Sequence, residues 1–203
     1  TAKQAVEAEL NGASDNPGVM VKRGEVASHG GYLTPHLMIT LGAVAQSLTL
    51  LAAVQCARIG KMNAARFTDL PNGLASGAGM GAGLAPAMKT AEALMAEIAH
   101  AGAAPPVYPG FSADGLEDVA CHTAIAGKSV LRQVELLQRL TAIEAIAGVR
   151  AITLRDNGET LSPRLRAGFQ RLSAVSPVGE SDRALGTEIE TIASNLAAVL
   201  AFD

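Results

Sequence analysis

Residues 116–155 contain no proline and only two glycines, Gly127 and Gly148. Val130, Val134, Leu137 and Thr141 recur on one helical face, while Ile125, Leu136, Leu140 and Ile143 fall on others. The spacing predicts a helix of about forty residues, far longer than the usual three or four turns. A helix that long with several apolar faces must be buried among other helices, some of them from other subunits. The chain is therefore expected to be all-α, a long-helix bundle. Composition agrees: aromatic residues make up 3% and tryptophan is absent, so the core must be built from Ala, Leu, Val, Ile and Met. Such a core favours packed helices over sheets.

The other elements follow from local signals. Ala5, Val6 and Leu10 begin a helix that stops at Asn11-Gly12, and Ser14-Asp15-Asn16-Pro17-Gly18 reads as a tight turn. A short hairpin is expected near residues 19–27, with Val19, Met20 and Val21 facing Val26. Thr34 as N-cap and Pro35 at the first helical position open a helix to about Ile59, marked by Leu37, Leu41, Val44, Leu48 and Leu51. Residues 66–86 read as loop, 87–101 as helix, and 102–115 as loop again. Ser162-Pro163 starts a further helix, and Leu185, Ile189, Ile192, Leu196 and Val199 line a last one. No linker divides the chain, so residues 1–203 are expected to form one helical domain.

Several function classes are disfavoured. A net charge of −3, with both signs scattered, gives no basic stripe for nucleic acid. Residues 37–56 carry no charge and are followed by Arg58, Lys61 and Arg66, which satisfies the length of a membrane span. Thr40, Gln46, Ser47, Thr49 and Gln55 interrupt that run, so a helix buried in a bundle is expected and no membrane. Cys56 and Cys121 do not have disulfide-framework spacing, which suggests a reducing, cytoplasmic setting. His29, His36 and His100 form no metal spacing, and Cys121-His122, read as adjacent helical residues about 100° apart, cannot share a ligand. No metal is expected.

Five stretches, in order, resemble the C-terminal part of the histidine ammonia-lyase family and its aromatic amino-acid lyase and aminomutase relatives. "VEAELNGASDNPGVM" is similar to the family's Glu-Leu-Asn…Asp-Asn-Pro turn, and "EVASHGGYLTPHLMITLG" to Gly-Asn-Phe-His-Gly opening a long helix. "ARIGKMNAARFTDLPNGLASG" resembles the family's Arg-Ile…Leu-Pro…Gly-Leu-Asn-Ser-Gly run. "FSADGLEDVACHTAIAGKSVLRQVELLQRLTAIE" resembles the Gln-Glu-Asp-His segment with the helix behind it, and the stretch from Ala151 to Leu196 matches the family's ending in layout.

The resemblance implies the family's long-helix bundle and tetramer, with each active site drawing on several subunits. It implies candidate catalytic residues Glu117, near the substrate's amino group, Tyr32, at the family's phenylalanine beside the ring, and Asn16. Asn16 falls on an asparagine that lines the pocket of the methylidene-imidazolone (MIO), the electrophile these enzymes make from Ala-Ser-Gly. Here Ala75-Ser76-Gly77 falls on the family's Asn-Ser-Gly, downstream of the cyclising triad. MIO is accordingly expected from a partner chain carrying the N-terminal half, not from this one. Whether the chain is a natural subunit, a processed product or a fragment stays open. Competing readings stand beside these roles: Asn16 as an Asx-type turn, and Asp114 with Glu117 as a capping box. Gly31, Leu33 and Thr34 replace the asparagine, histidine and glycine around Tyr32, and Leu116 and Val119 replace the glutamine and histidine around Glu117-Asp118. These changes favour the alternative, a non-catalytic helical scaffold or regulatory subunit.

Overall fold

The computed structural model describes residues 1–76, 81–103, 108–115, 117–179 and 182–200. Gly77 of the tripeptide, part of the 102–115 loop, and Leu116 lie outside the described residues. The chain is mostly helical, as its composition dictates. Its elements are α1 (Ala2–Asn11), β1 (Gly18–Met20), β2 (Glu25–Ala27), α2 (Pro35–Met62), α3 (Ala65–Thr68), α4 (Ala85–Ala101), β3 (Tyr108–Ser112), β4 (Glu117–Ala120), α5 (Thr123–Leu154), α6 (Pro163–Val175), α7 (Gly186–Ser194) and α8 (Leu196–Val199). Contacts divide it into two units, Thr1–Leu48 with Ala101–Gln133, and Thr49–His100 with Val134–Asp203, the divisions falling inside α2 and α5 and before the last residue of α4.

The first unit holds both hairpins. Thr1 caps α1 through a capping box with Gln4. β1 and β2 pair antiparallel with Val19 opposite Val26, as their alternation predicts. The loop expected at 102–115 contains a strand instead: β3 pairs antiparallel with β4, Tyr108 opposite Ala120 and Ser112 opposite Glu117, with a register shift after Pro109. Gly110 sits at this irregularity, and a Cβ there would come 2.8 Å from the carbonyl oxygen of Glu117. The forty-residue helix is correspondingly shorter, 32 residues beginning at Thr123. Gln133, buried, donates from Nε2 to the Ala45 carbonyl at 3.1 Å, joining α5 to α2.

The second unit holds the main core. Ile59 of α2, Ile98 of α4, Leu140 and Ile143 of α5 and Ile192 of α7 are almost wholly removed from water and belong to one apolar cluster. Each such side chain contributes about 1.5–3 kcal/mol. Gln55 of α2 donates to Thr141 Oγ1 and Glu144 Oε2, both at 3.0 Å, and Arg58 pairs with the same Glu144. Ser162 caps α6 with Pro163 at its start, as expected. The last predicted helix is broken at Asn195, whose Nδ2 bonds the Thr191 carbonyl at 2.9 Å and competes with the helical ladder.

The expectation that α2 is buried on all sides does not hold within one chain. α2 is long and apolar enough to cross a membrane, yet only 11% of its most apolar window is buried. Ile39, Leu50, Leu51 and Val54 are exposed on it.

Candidate active site

β4 is pleated, so Glu117 and Val119 share a face and Asp118 takes the other. Glu117 and Val119 both line an open pocket of about 350 Å³ in the first unit, and Asp118 does not. Across β3, Gly110 and Ser112 complete the strand side of the pocket. Tyr32, Leu33 and Thr34, from the segment entering α2, form another side. Cys121, His122 and Thr123, where β4 passes into α5, close it. Thr34 and Thr123 join hydroxyl to hydroxyl, fastening the start of α2 to the start of α5. Both are helix N-terminal ends, where free N–H groups carry partial positive charge.

Two of the three residues singled out in the sequence thus meet in one pocket, Tyr32 and Glu117. The capping-box reading of Glu117 is overturned. Asp114 lies in the left-handed region, at φ 56°, within a 3₁₀ turn, and Glu117 belongs to a strand six residues before α5. The helical reading of Cys121 and His122 is overturned too, since both precede α5 and His122 has φ 47°.

Asn16 does not line the pocket, but a chain of hydrogen bonds runs from it toward Tyr32. Its Oδ1 accepts from the His29 backbone N–H at 2.9 Å, and His29 Nδ1 accepts from the Gly31 N–H at 2.9 Å. The Asx-turn reading fails, because the partner of the Asn16 oxygen lies across the hairpin. His29 fills the space between Gly18 and Gly31, where an added Cβ would fall 2.7 Å from its ring in either case. That accounts for glycine at position 31, directly before Tyr32. His36 and His100 are exposed near helix ends. Among the described residues, no group of three His, Cys, Asp or Glu could hold a metal.

Ser76 lies in the second unit. Its hydroxyl donates to the Gly179 carbonyl at 2.5 Å and accepts from Arg150 Nη2 at 3.0 Å. Arg150, 4% exposed, also donates from Nε to the Leu74 carbonyl at 2.5 Å. Burial pushes the Arg150 guanidinium below its ordinary value, the Asp182 carboxylate counters this, and Arg183 adds to the lowering. Asp182 in turn accepts from the Ala82 and Gly83 N–H groups. Residues 74–76 are thus bonded to Arg150 and Gly179, and residues 82–83 to Asp182.

Residues 1–174 match the family described as aromatic amino acid lyase. The chain belongs to this family. A tyrosine ammonia-lyase from Cereibacter sphaeroides is 32% identical over 194 residues, covering 93% of this chain and 37% of that protein. A histidine ammonia-lyase from Stigmatella aurantiaca is 24% identical, covering 95% of this chain and 38% of that protein. In fold, a tyrosine aminomutase from Streptomyces globisporus superimposes with a TM-score of 0.85 at 24% identity, over 98% of this chain and 38% of its own. The chain spans a little under two fifths of the length of these relatives.

Thr34, Ser112, Cys121 and His122 also line the pocket, though the sequence does not mark them as site residues. The signal that points to Cys121 was present: Glu117, Val119 and Cys121 alternate as one face of a strand.

Proposed function

We propose that this chain forms one side of an ammonia-lyase active site for histidine or an aromatic amino acid, completed by a chain carrying the family's N-terminal half. In the reaction the amino acid's C–N bond breaks, a proton leaves the neighbouring carbon, and ammonia and an α,β-unsaturated acid result. Glu117 binds the substrate ammonium, a carboxylate and a cation being matched in charge. Tyr32 stacks against the side chain, and its hydroxyl adds one donor and one acceptor. The observation that carries this reading is the convergence of Tyr32 and Glu117, far apart in sequence, on one pocket.

MIO, when bound, supplies the electrophilic carbon that activates the amine for departure. Asn16 suits a place beside it: its Oδ1 is occupied by His29, and the amide N–H groups are the donors a carbonyl requires. Ser76, with its hydroxyl engaged by Gly179 and Arg150, serves the loop as a structural residue rather than as the source of MIO. The assembly is a homo- or hetero-oligomer in the cytoplasm. Unpaired Cys56 and Cys121 suit that compartment. Val119, an aliphatic group in the pocket, favours the second reading, a non-catalytic scaffold subunit.

The test is to assemble the chain with an N-terminal-half chain bearing its own Ala-Ser-Gly and to follow ammonia release from histidine, tyrosine and phenylalanine. Glu117→Gln is expected to cut turnover at least a hundredfold, the scale of a positioned proton-handling group. It should leave melting unchanged, since Glu117 is exposed and caps no helix. Full activity in that variant removes Glu117 from the chemistry, and no release by the assembled wild type supports the scaffold.

A further inference from the structure

We infer that His29 is a positioning residue: its imidazole stands where a side chain at residue 31 would lie, and it holds the turn that presents Tyr32 to the pocket. The inference rests on the pocket being an amino-acid site.

Tyr32 is the third residue of a turn that the Leu33 N–H closes onto the Gly30 carbonyl at 3.0 Å. A turn of four residues, two of them glycine, has little packing of its own to fix its direction. His29 fastens it to the hairpin through two bonds. The backbone N–H of His29 donates to Oδ1 of Asn16, two residues before β1, and its ring Nδ1 accepts from the Gly31 N–H, both at 2.9 Å.

The ring is seated rather than loose. A Cβ at Gly18 would fall 2.7 Å from its Nε2, and one at Gly31 would fall 2.7 Å from its Nδ1. Neither glycine has a positive φ, so the backbone does not require glycine at either place. The imidazole does. Position 31 is also where the motif that this segment resembles carries asparagine. Here glycine yields that space, and the polar group that fills it comes from residue 29.

The consequence for the reaction lies in binding. Tyr32 meets the substrate's side chain, away from the bonds that break, so its contact is made alike in the ground state and the transition state. Loosening the turn therefore raises KM and leaves kcat. A folding defect does the opposite, since it removes active molecules, lowering kcat and leaving KM as it was.

Two measurements test this. The first is hydrogen exchange of the Gly31 amide in the purified full chain. His29→Ala is expected to speed that exchange about tenfold, whereas His29→Asn, whose amide oxygen can accept in place of Nδ1, should keep most of the protection. The second uses this chain assembled with the N-terminal-half chain, with KM and kcat taken for whichever of histidine, tyrosine and phenylalanine it turns over. His29→Ala should raise KM about tenfold, the worth of one hydrogen bond, with kcat within about twofold. His29→Asn should return KM to within about threefold of wild type. Gly31→Asn crowds the ring and should raise KM, and adding His29→Gly frees the space and should lower it again. A Gly31 amide that exchanges alike in wild type and His29→Ala, a KM indifferent to His29→Ala, or a fall in kcat alone overturns the role of His29 and leaves the site standing. No ammonia release by the assembled wild type, with the Gly31 amide protected, overturns the site and the part of His29 in the reaction together.

Discussion

Arg150 is the residue whose removal should cost most for its size. Arg150→Met keeps the apolar stem and volume but deletes the Nε bond to the Leu74 carbonyl and the Nη2 bond to Ser76. Hydrogen bonds from a charged donor contribute about 1.5–3 kcal/mol each, so the gross loss is roughly 3–6 kcal/mol. Two terms adjust it. Leu74 is wholly buried, so its carbonyl, with φ 52° already holding the residue in an unfavourable conformation, is left without water. Against this, the desolvation of the guanidinium that lowers the Arg150 pKa is recovered when the charge is removed. Ser76 keeps its Gly179 partner and adds little. The net expectation is a destabilisation of about 2–4 kcal/mol, a large share of a typical domain's total. Urea unfolding followed by circular dichroism measures it, and a double-mutant cycle with Ser76→Ala should show coupling of about 1 kcal/mol. A change within about 0.5 kcal/mol for Arg150→Met would refute the idea that this cation fastens Leu74 and Ser76.

Three further outcomes are expected. Gly31→Ala should displace the His29 ring and weaken the Gly31 N–H bond to Nδ1, which a changed His29 signal in an NMR spectrum would reveal; an unperturbed ring disproves the tight seat. The Cys56 thiol is pushed up first by burial and then by the Glu92 carboxylate, so its alkylation should lag behind that of a free thiol at neutral pH and accelerate only above the ordinary thiol range. Being an acid held neutral in the fold, it lends stability below its unfolded pKa that is lost as pH rises past it. Sedimentation should show an oligomer, because α2 and α5 leave Ile39, Leu50, Leu131 and Ile125 exposed; a well-behaved monomer at micromolar concentration counts against the shared-site reading.

Helix starts were legible because their signals are local. Ser162-Pro163 states both the cap and the first turn, and the hairpin at Val19 and Val26 needs only alternation across a short loop. β4 was not legible, because a strand of four residues carries two periods of alternation and Asp114 stands three residues before Glu117, the spacing of a capping box. Pairing with β3 decided the matter, through Pro109 and Gly110 that by themselves read as loop. The site was half legible. Residue types marked Tyr32 and Glu117, but their meeting depends on the tie between Thr34 and Thr123, and His122 reaches the pocket by a positive φ that no pattern announces.

α2 shows why apolarity alone does not name its own cover. The hydroxyls of Thr40 and Ser47 turn back onto the helix, donating to the His36 and Ala43 carbonyls at 2.7 and 2.8 Å. This hides their polarity, so the outward surface suits lipid and protein equally. What separates the two is the rest of the helix. Gln46 reaches the Gly102 carbonyl, Gln55 is buried against Thr141 and Glu144, and Arg58 pairs with Glu144 while half exposed. A helix that spans hydrocarbon rarely carries polar side chains through its length, whereas Gln46, Gln55 and Arg58 tie α2 to other parts of the same chain. A protein interface accepts a charged rim around an apolar centre as a matter of course. The exposed Leu50, Leu51 and Val54 beside that rim therefore suit contact with another subunit.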